Sequence, residues 1–354
     1  MRDQDISHNL QQQVIDAATS KRALHIVGGN NKSFYGRNIS GGVLNVAEHR
    51  GILNHEPTEL VITARAGTPL QAIEDQLSKH HQILGFEPPH FGNTATLGGT
   101  IACNFSGPRR AAAGSARDFM LGCKIINGKG EMLSFGGEVM KNVAGFDVSR
   151  LMCGALGTLG VLLEISVRVL PRPELELTLS QEMDAAHALA KLHALGRQAL
   201  PISASVFDGL NLHIRLSGSA AAVNAAKAAI GGEQMQYDAV FWQQLREQQL
   251  PFFKHSQTLW RISVASNTPP LNLPGSWLYE WDGAQRWLFS DAPADVIRNV
   301  AALHGGHAVC FRAQHKPDQV FHPLESGMLK LQQKIKHAFD PAGIFNPGMM
   351  YTEI

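Results

Sequence analysis

The sequence predicts an α+β protein of two domains, and three observations carry that reading. Its 354 residues exceed the roughly 150 of an ordinary domain. Residue usage changes along the chain: 22 of the 34 glycines fall in residues 1–172, and all five tryptophans lie from Trp242 onward. Strand and helix signals alternate throughout without a repeating unit.

Hydrophobic residues at 44% and charged residues at 17% place the chain in the globular range. A net charge of +1 excludes the basic field on which nucleic-acid binding depends, so DNA and RNA are not expected partners. The opening MRDQDISHNLQQQ has no apolar core behind a basic end and does not read as a signal. The most apolar stretch, residues 151–163, is broken by three glycines and falls short of the roughly 20 apolar residues of a spanning helix. A cytoplasmic protein, at most peripheral to a membrane through partners, is expected. Cys103, Cys123, Cys153 and Cys310 form no C-x-x-C pair, so buried reduced thiols are expected rather than zinc or iron–sulfur ligands.

The elements follow in order. Residues 23–27 and 60–66 read as apolar strands, the latter running into Thr68-Pro69, a hydroxyl cap followed by proline at the first helical position. Leu70, Ile73 and Leu77 mark one helical face. Strands at 119–126 and 131–135 flank Asn127-Gly128-Lys129-Gly130, a hairpin turn. A long apolar strand ends at Leu170-Pro171-Arg172-Pro173, where two prolines hold the chain extended and set the domain boundary. Beyond it come a helix over 184–195, strands at 202–207 and 212–216, and an alanine-rich helix over 219–230. A hairpin around Asp282-Gly283 and a helix over 293–303 capped by Ser290 or Asp291 follow. Met328, Leu331 and Ile335 line one face of a last helix.

Four segments could carry chemistry. Ile26-Val27-Gly28-Gly29-Asn30-Asn31-Lys32-Ser33 places a glycine pair at a strand end, where backbone amides can close on a phosphate; an ordinary strand-to-loop turn has the same look. From Glu87 to Arg110 the chain is small-residued and nearly chargeless, read as a stretch that cannot form a packed helix and whose amides suit an elongated polar ligand, or as a surface loop. Lys141-Asn142 sits between glycines, as an anion-holding lysine or a solvated loop. The terminal Phe339-Asp340-Pro341-Ala342-Gly343-Ile344-Phe345-Asn346-Pro347-Gly348 is constrained by two prolines and two glycines, as a tail returning to a ligand site or as a helix stop.

In this order the four segments resemble the FAD-binding fold of the vanillyl-alcohol oxidase and para-cresol methylhydroxylase superfamily. Within it the chain is similar to the FAD-binding E-type subunits of bacterial glycolate oxidases, a resemblance carried by residues 57–65, 137–145 and 241–253. It implies a two-subdomain FAD-binding domain over 1–172, a smaller mixed α/β cap over 173–323, and a helix and tail over 324–354 returning to the first domain. It also implies that Val27, Gly28, Gly29, Asn30, Asn31, Lys32 and Ser33 form one pyrophosphate loop, and Thr94, Gly98, Gly99 and Thr100 a second. Pro88, Asn104, Pro108, Arg109, Ser115, Asp118, Lys141 and Asn142 would border the flavin, Gly160 and Val161 its adenosine end, and Asn346 would touch it. Relatives with covalent flavin place a histidine where Asn30 and Asn31 stand, so dissociable FAD is expected.

Two departures matter. Relatives that oxidise 2-hydroxy acids carry a histidine-rich, metal-binding cap motif. His304-Gly305-Gly306-His307 is its nearest counterpart here and lacks the carboxylate and asparagine, so no metal is expected. Phe146 stands where many relatives have tyrosine. The resemblance therefore implies a subunit of a glycolate oxidase in which a larger FAD-binding subunit oxidises glycolate and an iron–sulfur subunit accepts electrons, with the Trp-rich half as the expected contact surface. Two other readings stay open. One is an autonomous 2-hydroxy-acid dehydrogenase with Arg261 or Arg312 on the substrate carboxylate, and Lys141 as a further catalytic candidate. The other is a structural subunit without chemistry.

Overall fold

Residues 3–137 and 147–354 are described by the structure, a computed structural model. It divides into two units, the first holding Met1–Ser106, Ser115–Pro171 and Pro323–Ile354, the second Gly107–Gly114 and Arg172–His322. The chain crosses at Pro171-Arg172, within the proline pair that marked the boundary in the sequence. The eight residues from Gly107 to Gly114 sit in the second unit rather than the first.

In the first unit α1 (Ser7–Ser20) buries Leu10, Val14 and Ala17 at helical spacing. The parallel pair β1 (Leu24–Val27) and β2 (Gly42–Asn45) follows. Next come β3 (Ile52–Glu56), β4 (Val61–Arg65), α2 (Leu70–Ser78) and β5 (Gln82–Ile83). On α2, Leu70, Ile73 and Leu77 are fully buried, and each side chain so removed from water contributes about 1.5–3 kcal/mol. Thr68 does not cap this helix. Its hydroxyl accepts from the Gly51 amide at 2.9 Å and reaches Gly51 O at 3.1 Å, so proline alone sets the first turn.

The chain continues through α3 (Leu97–Cys103), the short α4 (Arg110–Ala113) of the second unit, α5 (Ala116–Phe119), β6 (Met120–Ile126) and β7 (Met132–Gly136). It then reaches α6 (Val148–Met152), β8 (Val161–Arg168) and β9 (Leu170–Pro171). Five strands form an antiparallel sheet in the order β3-β4-β8-β6-β7. In the β6–β7 turn, Asn127 Oδ1 accepts from the amides of Lys129 and Glu131 at 2.9 and 3.0 Å, and Gly130 takes the positive φ that closes it.

Helix α3 corrects the sequence expectation, which excluded a packed helix between residues 87 and 110. The Thr96 hydroxyl caps it by accepting from Gly99 N. Gly98 then lets it press on β4, since a Cβ there would come within 2.7 Å of the Ala66 Cβ. Small residues mark a close approach here, not an absence of structure.

The second unit is an eight-stranded antiparallel sheet. Its elements are β10 (Leu175–Glu182), α7 (Ala185–Leu195), β11 (Ile202–Phe207), β12 (Asn211–Gly218), α8 (Ala220–Ile230), β13 (Glu233–Gln234) and α9 (Asp238–Arg246). They continue with β14 (Leu259–Ser263), β15 (Ser276–Glu280), β16 (Gln285–Phe289), α10 (Ala294–Leu303) and β17 (His307–Arg312). Strand order is β13-β10-β12-β11-β15-β16-β14-β17. Asp184 and Ser219 cap α7 and α8, whose apolar faces share one core with Leu179, Ile214 and Leu216. No side chain caps α10; Ser290 instead donates to Pro274 O and accepts from Ala292 N. Trp242, Trp260 and Trp287 are buried and build the core of this unit, while Trp277 and Trp281 are half-buried.

The chain then re-enters the first unit with α11 (Ser326–Phe339) and a tail in which Phe345 bridges Leu24 in parallel, extending the β1–β2 pair. No helix among the described residues is long and apolar enough to cross a membrane.

Candidate functional site

The end of β1 delivers the chain into residues 28–33. Among the described residues, the amides of Gly28, Gly29, Asn30 and Asn31 donate to no protein acceptor, although the loop is mostly half-buried. Asn30 adopts φ 57°, which turns successive amides toward one side. A row of unsatisfied donors in a concave loop has the geometry that suits an anion.

A second segment closes on the first. Thr94 Oγ1 lies 2.7 Å from Gly29 O and 2.6 Å from Asn31 Oδ1, and Asn31 Nδ2 donates to Phe91 O at 3.1 Å. A Cβ on Gly29 would sit 1.6 Å from Thr94 O, so glycine is required there by contact, not by backbone angle. The second segment was expected to grip an anion with the amides of Gly98, Gly99 and Thr100. Those amides are already bonded, to Ala66 O, Thr96 Oγ1 and Thr96 O. Among the described residues of this segment, the amides of Thr94, Ala95 and Thr96, just before the helix, donate to no protein acceptor.

Between these segments runs a groove formed by two adjoining clefts of about 600 and 450 Å³ of open space, which share Ile26, Gly28, Thr96, Gly99, Ala102, Leu156 and Asn346. Of the residues nominated from the sequence, the whole run from Val27 to Ser33 lines it, together with Gly98, Gly99, Gly160 and Asn346. Asn346 closes one wall. Its Oδ1 accepts from Ile26 N at 2.8 Å, its Nδ2 donates to Leu156 O at 2.7 Å, and both bonds are buried or nearly so. Its amide group is thus spent on the backbone and shapes the groove through the positions of Ile26 and Leu156.

Other nominations serve different roles. Ser115 and Asp118 satisfy each other, with the Ser115 amide and hydroxyl on Asp118 Oδ2 at 2.8 and 2.7 Å, a reciprocal cap on α5. Asn104 takes φ 52° at the end of α3 and receives Arg117 N and Cys153 Sγ on its Oδ1, both at 3.3 Å. Pro88 and Val161 are buried away from the lining, and the Thr100 hydroxyl is buried with no protein partner. Pro108 and Arg109 fall in the second unit, where Arg109 pairs with Glu176 at 2.6 Å. Lys141, Asn142 and Phe146 lie outside the described residues.

The sequence reading missed Thr96, Cys103, Leu156 and Met349, which line the groove. Thr96 had a legible signal, a hydroxyl residue immediately before an apolar helical turn. It also missed Lys336, a buried lysine whose Nζ donates to Thr158 O, Asp340 Oδ2 and Phe345 O at 2.7, 2.8 and 2.7 Å. Burial holds its pKa below the ordinary lysine value against the attraction of Asp340. Asp340 in turn accepts from the Ile344 and Phe345 amides, so the pair fixes the turn that presents Asn346.

In the second unit, Arg261 on β14 and Arg312 at the end of β17 converge on one ring, their guanidinium carbons 5.6 and 5.9 Å from the Phe311 centroid. Arg312 also donates to Gln248 Oε1 at 2.9 Å, and burial lowers its pKa. His304 turns its Nδ1 to Val300 O at 2.9 Å, while the His307 ring faces His322 at 6.4 Å with a pKa lowered by burial and by Arg261. Among the described residues no group of three or more His, Cys, Asp or Glu side chains could hold a metal. Cys123, Cys153 and Cys310 are buried free thiols, Cys123 and Cys310 pushed up to about 11 by burial.

The glycine loop, the free amides on both sides of the groove and the space left by Gly99 fit an extended dinucleotide. Residues 7–136 match the model of the FAD binding domain family. The chain is 50% identical to the glycolate oxidase subunit GlcE of Escherichia coli K12, over all of both chains. The chain belongs to the GlcE family of glycolate oxidase subunits. More distant relatives match less of the chain: the GlcE-family chain is 34% identical over 152 residues to the glycolate oxidase subunit GlcD of Bacillus subtilis, 41% of this chain and 32% of that one. It is 32% identical over 145 residues to a D-lactate dehydrogenase of Archaeoglobus fulgidus, covering 39% of this chain and 32% of that one. A solved structure of alkyldihydroxyacetonephosphate synthase superposes on 96% of this GlcE-family chain and 75% of its own, at TM-score 0.67 and 16% identity, a likeness of fold alone.

Proposed function

We propose that the chain is the FAD-binding subunit of a multi-subunit glycolate oxidase, which takes two electrons and two protons from glycolate to give glyoxylate and passes the electrons to an acceptor. The observation that carries this reading is 50% identity to a glycolate oxidase subunit across the entire length of both chains. Bound FAD supplies a reversible two-electron store. The amides of Gly28, Gly29, Asn30 and Asn31 would meet the pyrophosphate, with those of Thr94, Ala95 and Thr96 completing the cradle. Asn346 holds Ile26 and Leu156 in place along the groove. Asn30 and Asn31 stand where relatives with covalent flavin place a histidine, and this supports FAD held by contacts alone. A larger flavin subunit performs the oxidation and an iron–sulfur subunit receives the electrons, consistent with the lack of paired cysteines in this sequence.

Reconstitution tests this. Glycolate-dependent reduction of an artificial acceptor is expected from the three subunits together and is lost when this chain is omitted. Turnover of glycolate by this chain alone contradicts the assignment and points instead to Arg261 and Arg312 as its own carboxylate-binding groups.

A further inference from the structure

The first loop of the groove is held at both ends by the same stretch of chain. At its start, Ile26 N donates to Asn346 Oδ1 at 2.8 Å. Past its end, Arg37 N donates to Met349 O and Arg37 Nη1 to Gly348 O, both at 2.9 Å. The two fastenings differ in depth. Asn346 is buried, and the buried pair of Lys336 and Asp340 fixes the turn that presents it. From Pro347 to Glu353, by contrast, every residue is half-buried or exposed. This stretch also closes on itself: Met349 N donates to Asn346 O at 3.1 Å, Gly348 N to Ile354 O at 2.7 Å and Ile354 N to Tyr351 O at 3.2 Å. Met349 and Tyr35 line the same cleft as the glycine loop. A Cβ on Gly36 would come within 2.9 Å of the Met349 Sδ, so the loop end and the methionine lie in close approach.

We propose that residues 347–353, fastened at Arg37, are a latch on the groove, and that FAD enters and leaves when this latch opens. The inference rests on the reading of the groove as an FAD site and concerns how that site is regulated. A loop pinned in the core at one end and near the surface at the other moves at the surface end, where opening gives up the least burial. Tyr35 and Met349 stand at that moving end and border the cleft, so their parting opens the space in which FAD lies. The other walls are less free to move. Gly98 holds α3 against Ala66 of the strand end, and Gly29 is pressed on Thr94 O. A latch is a barrier common to both directions, so loosening it speeds uptake and release together and leaves affinity nearly unchanged. A side chain that only touches bound FAD changes release and not uptake.

The test is stopped-flow measurement of FAD uptake by the flavin-stripped full chain and of FAD release on dilution. Arg37→Ala is expected to speed both by about tenfold or more while Kd stays within about threefold of the parent. Arg37→Lys, which keeps a donor for Gly348 O, should speed both by less. Faster release with uptake unchanged overturns the latch and makes Arg37 an ordinary contact of the bound cofactor. Parental rates in both directions overturn it as well. Hydrogen exchange on the parent chain gives a reading that needs no variant. The Arg37 and Gly348 amides should exchange faster than the Ile26 amide at the other end of the loop, and equal protection at both ends contradicts the latch. A parent chain that binds no FAD overturns the latch and the FAD reading together; with binding intact, these outcomes bear on the latch alone.

Discussion

Gly29 is the residue on which the geometry of the groove depends most directly. A methyl group on its α-carbon would meet Thr94 O at 1.6 Å, so Gly29→Ala forces the two segments that border the groove apart. We expect this variant to keep the parental circular dichroism while FAD dissociates at least about tenfold more readily, a loss of about 1.4 kcal/mol or more. Unchanged flavin affinity by fluorescence titration would show that the segments do not act together. A second residue-scale expectation concerns Glu280, a fully buried carboxyl whose pKa burial raises from 4.5 to about 7 against the bonds from Trp287 and Gln285. Between those values the unfolded chain releases its proton while the folded chain keeps it. Stability therefore falls as pH rises through that window, by about 3 kcal/mol in all. Glu280→Gln retains an acceptor for both donors and removes the titration. Denaturant unfolding at pH 5 and pH 8 should show a smaller fall for the variant; identical pH dependence contradicts the assignment. The residues themselves were unevenly legible. The glycine pair announced the first loop because glycine permits close backbone approach, but nothing local revealed that the Gly98 and Gly99 amides are consumed by α3, since that depends on Ala66 and the Thr96 cap.

At the scale of elements, periodicity identified what apolar burial built. Leu70, Ile73 and Leu77 gave α2, and the caps Asp184 and Ser219 gave the starts of α7 and α8. Helix α3 escaped because its packing relies on missing side chains, a signal that resembles a loop until the opposing strand is known. The face of α11 was readable from Met328, Leu331 and Ile335, but its exposure was not, because a buried Lys336 replaces the expected apolar anchor. This makes the turn after α11 sensitive to one side chain. Lys336→Met leaves the buried Asp340 carboxylate without its cation, and we expect a loss of about 3–5 kcal/mol. The unfolding midpoint in urea should fall, with flavin retention falling alongside as Asn346 loses its position. A variant as stable as the parent would mean that the Ile344 and Phe345 amides alone satisfy Asp340.

At the scale of the whole chain, the proline pair at Pro171 and Pro173 marked one crossing between units, whereas the excursion of Gly107–Gly114 into the second unit left no compositional trace in eight residues. The four separated segments acquired a common meaning only through family resemblance, since three of them contribute to one groove that sequence spacing cannot bring together. The fourth holds Lys141 and Asn142. The central claim is that this groove holds FAD without a covalent bond. The most direct measurement is the visible absorption of the purified chain, followed by denaturation and separation of the supernatant. A yellow protein that releases all its colour as FAD is the expected result. A colourless chain that takes up no added FAD, or colour that stays with the precipitated protein, contradicts the account.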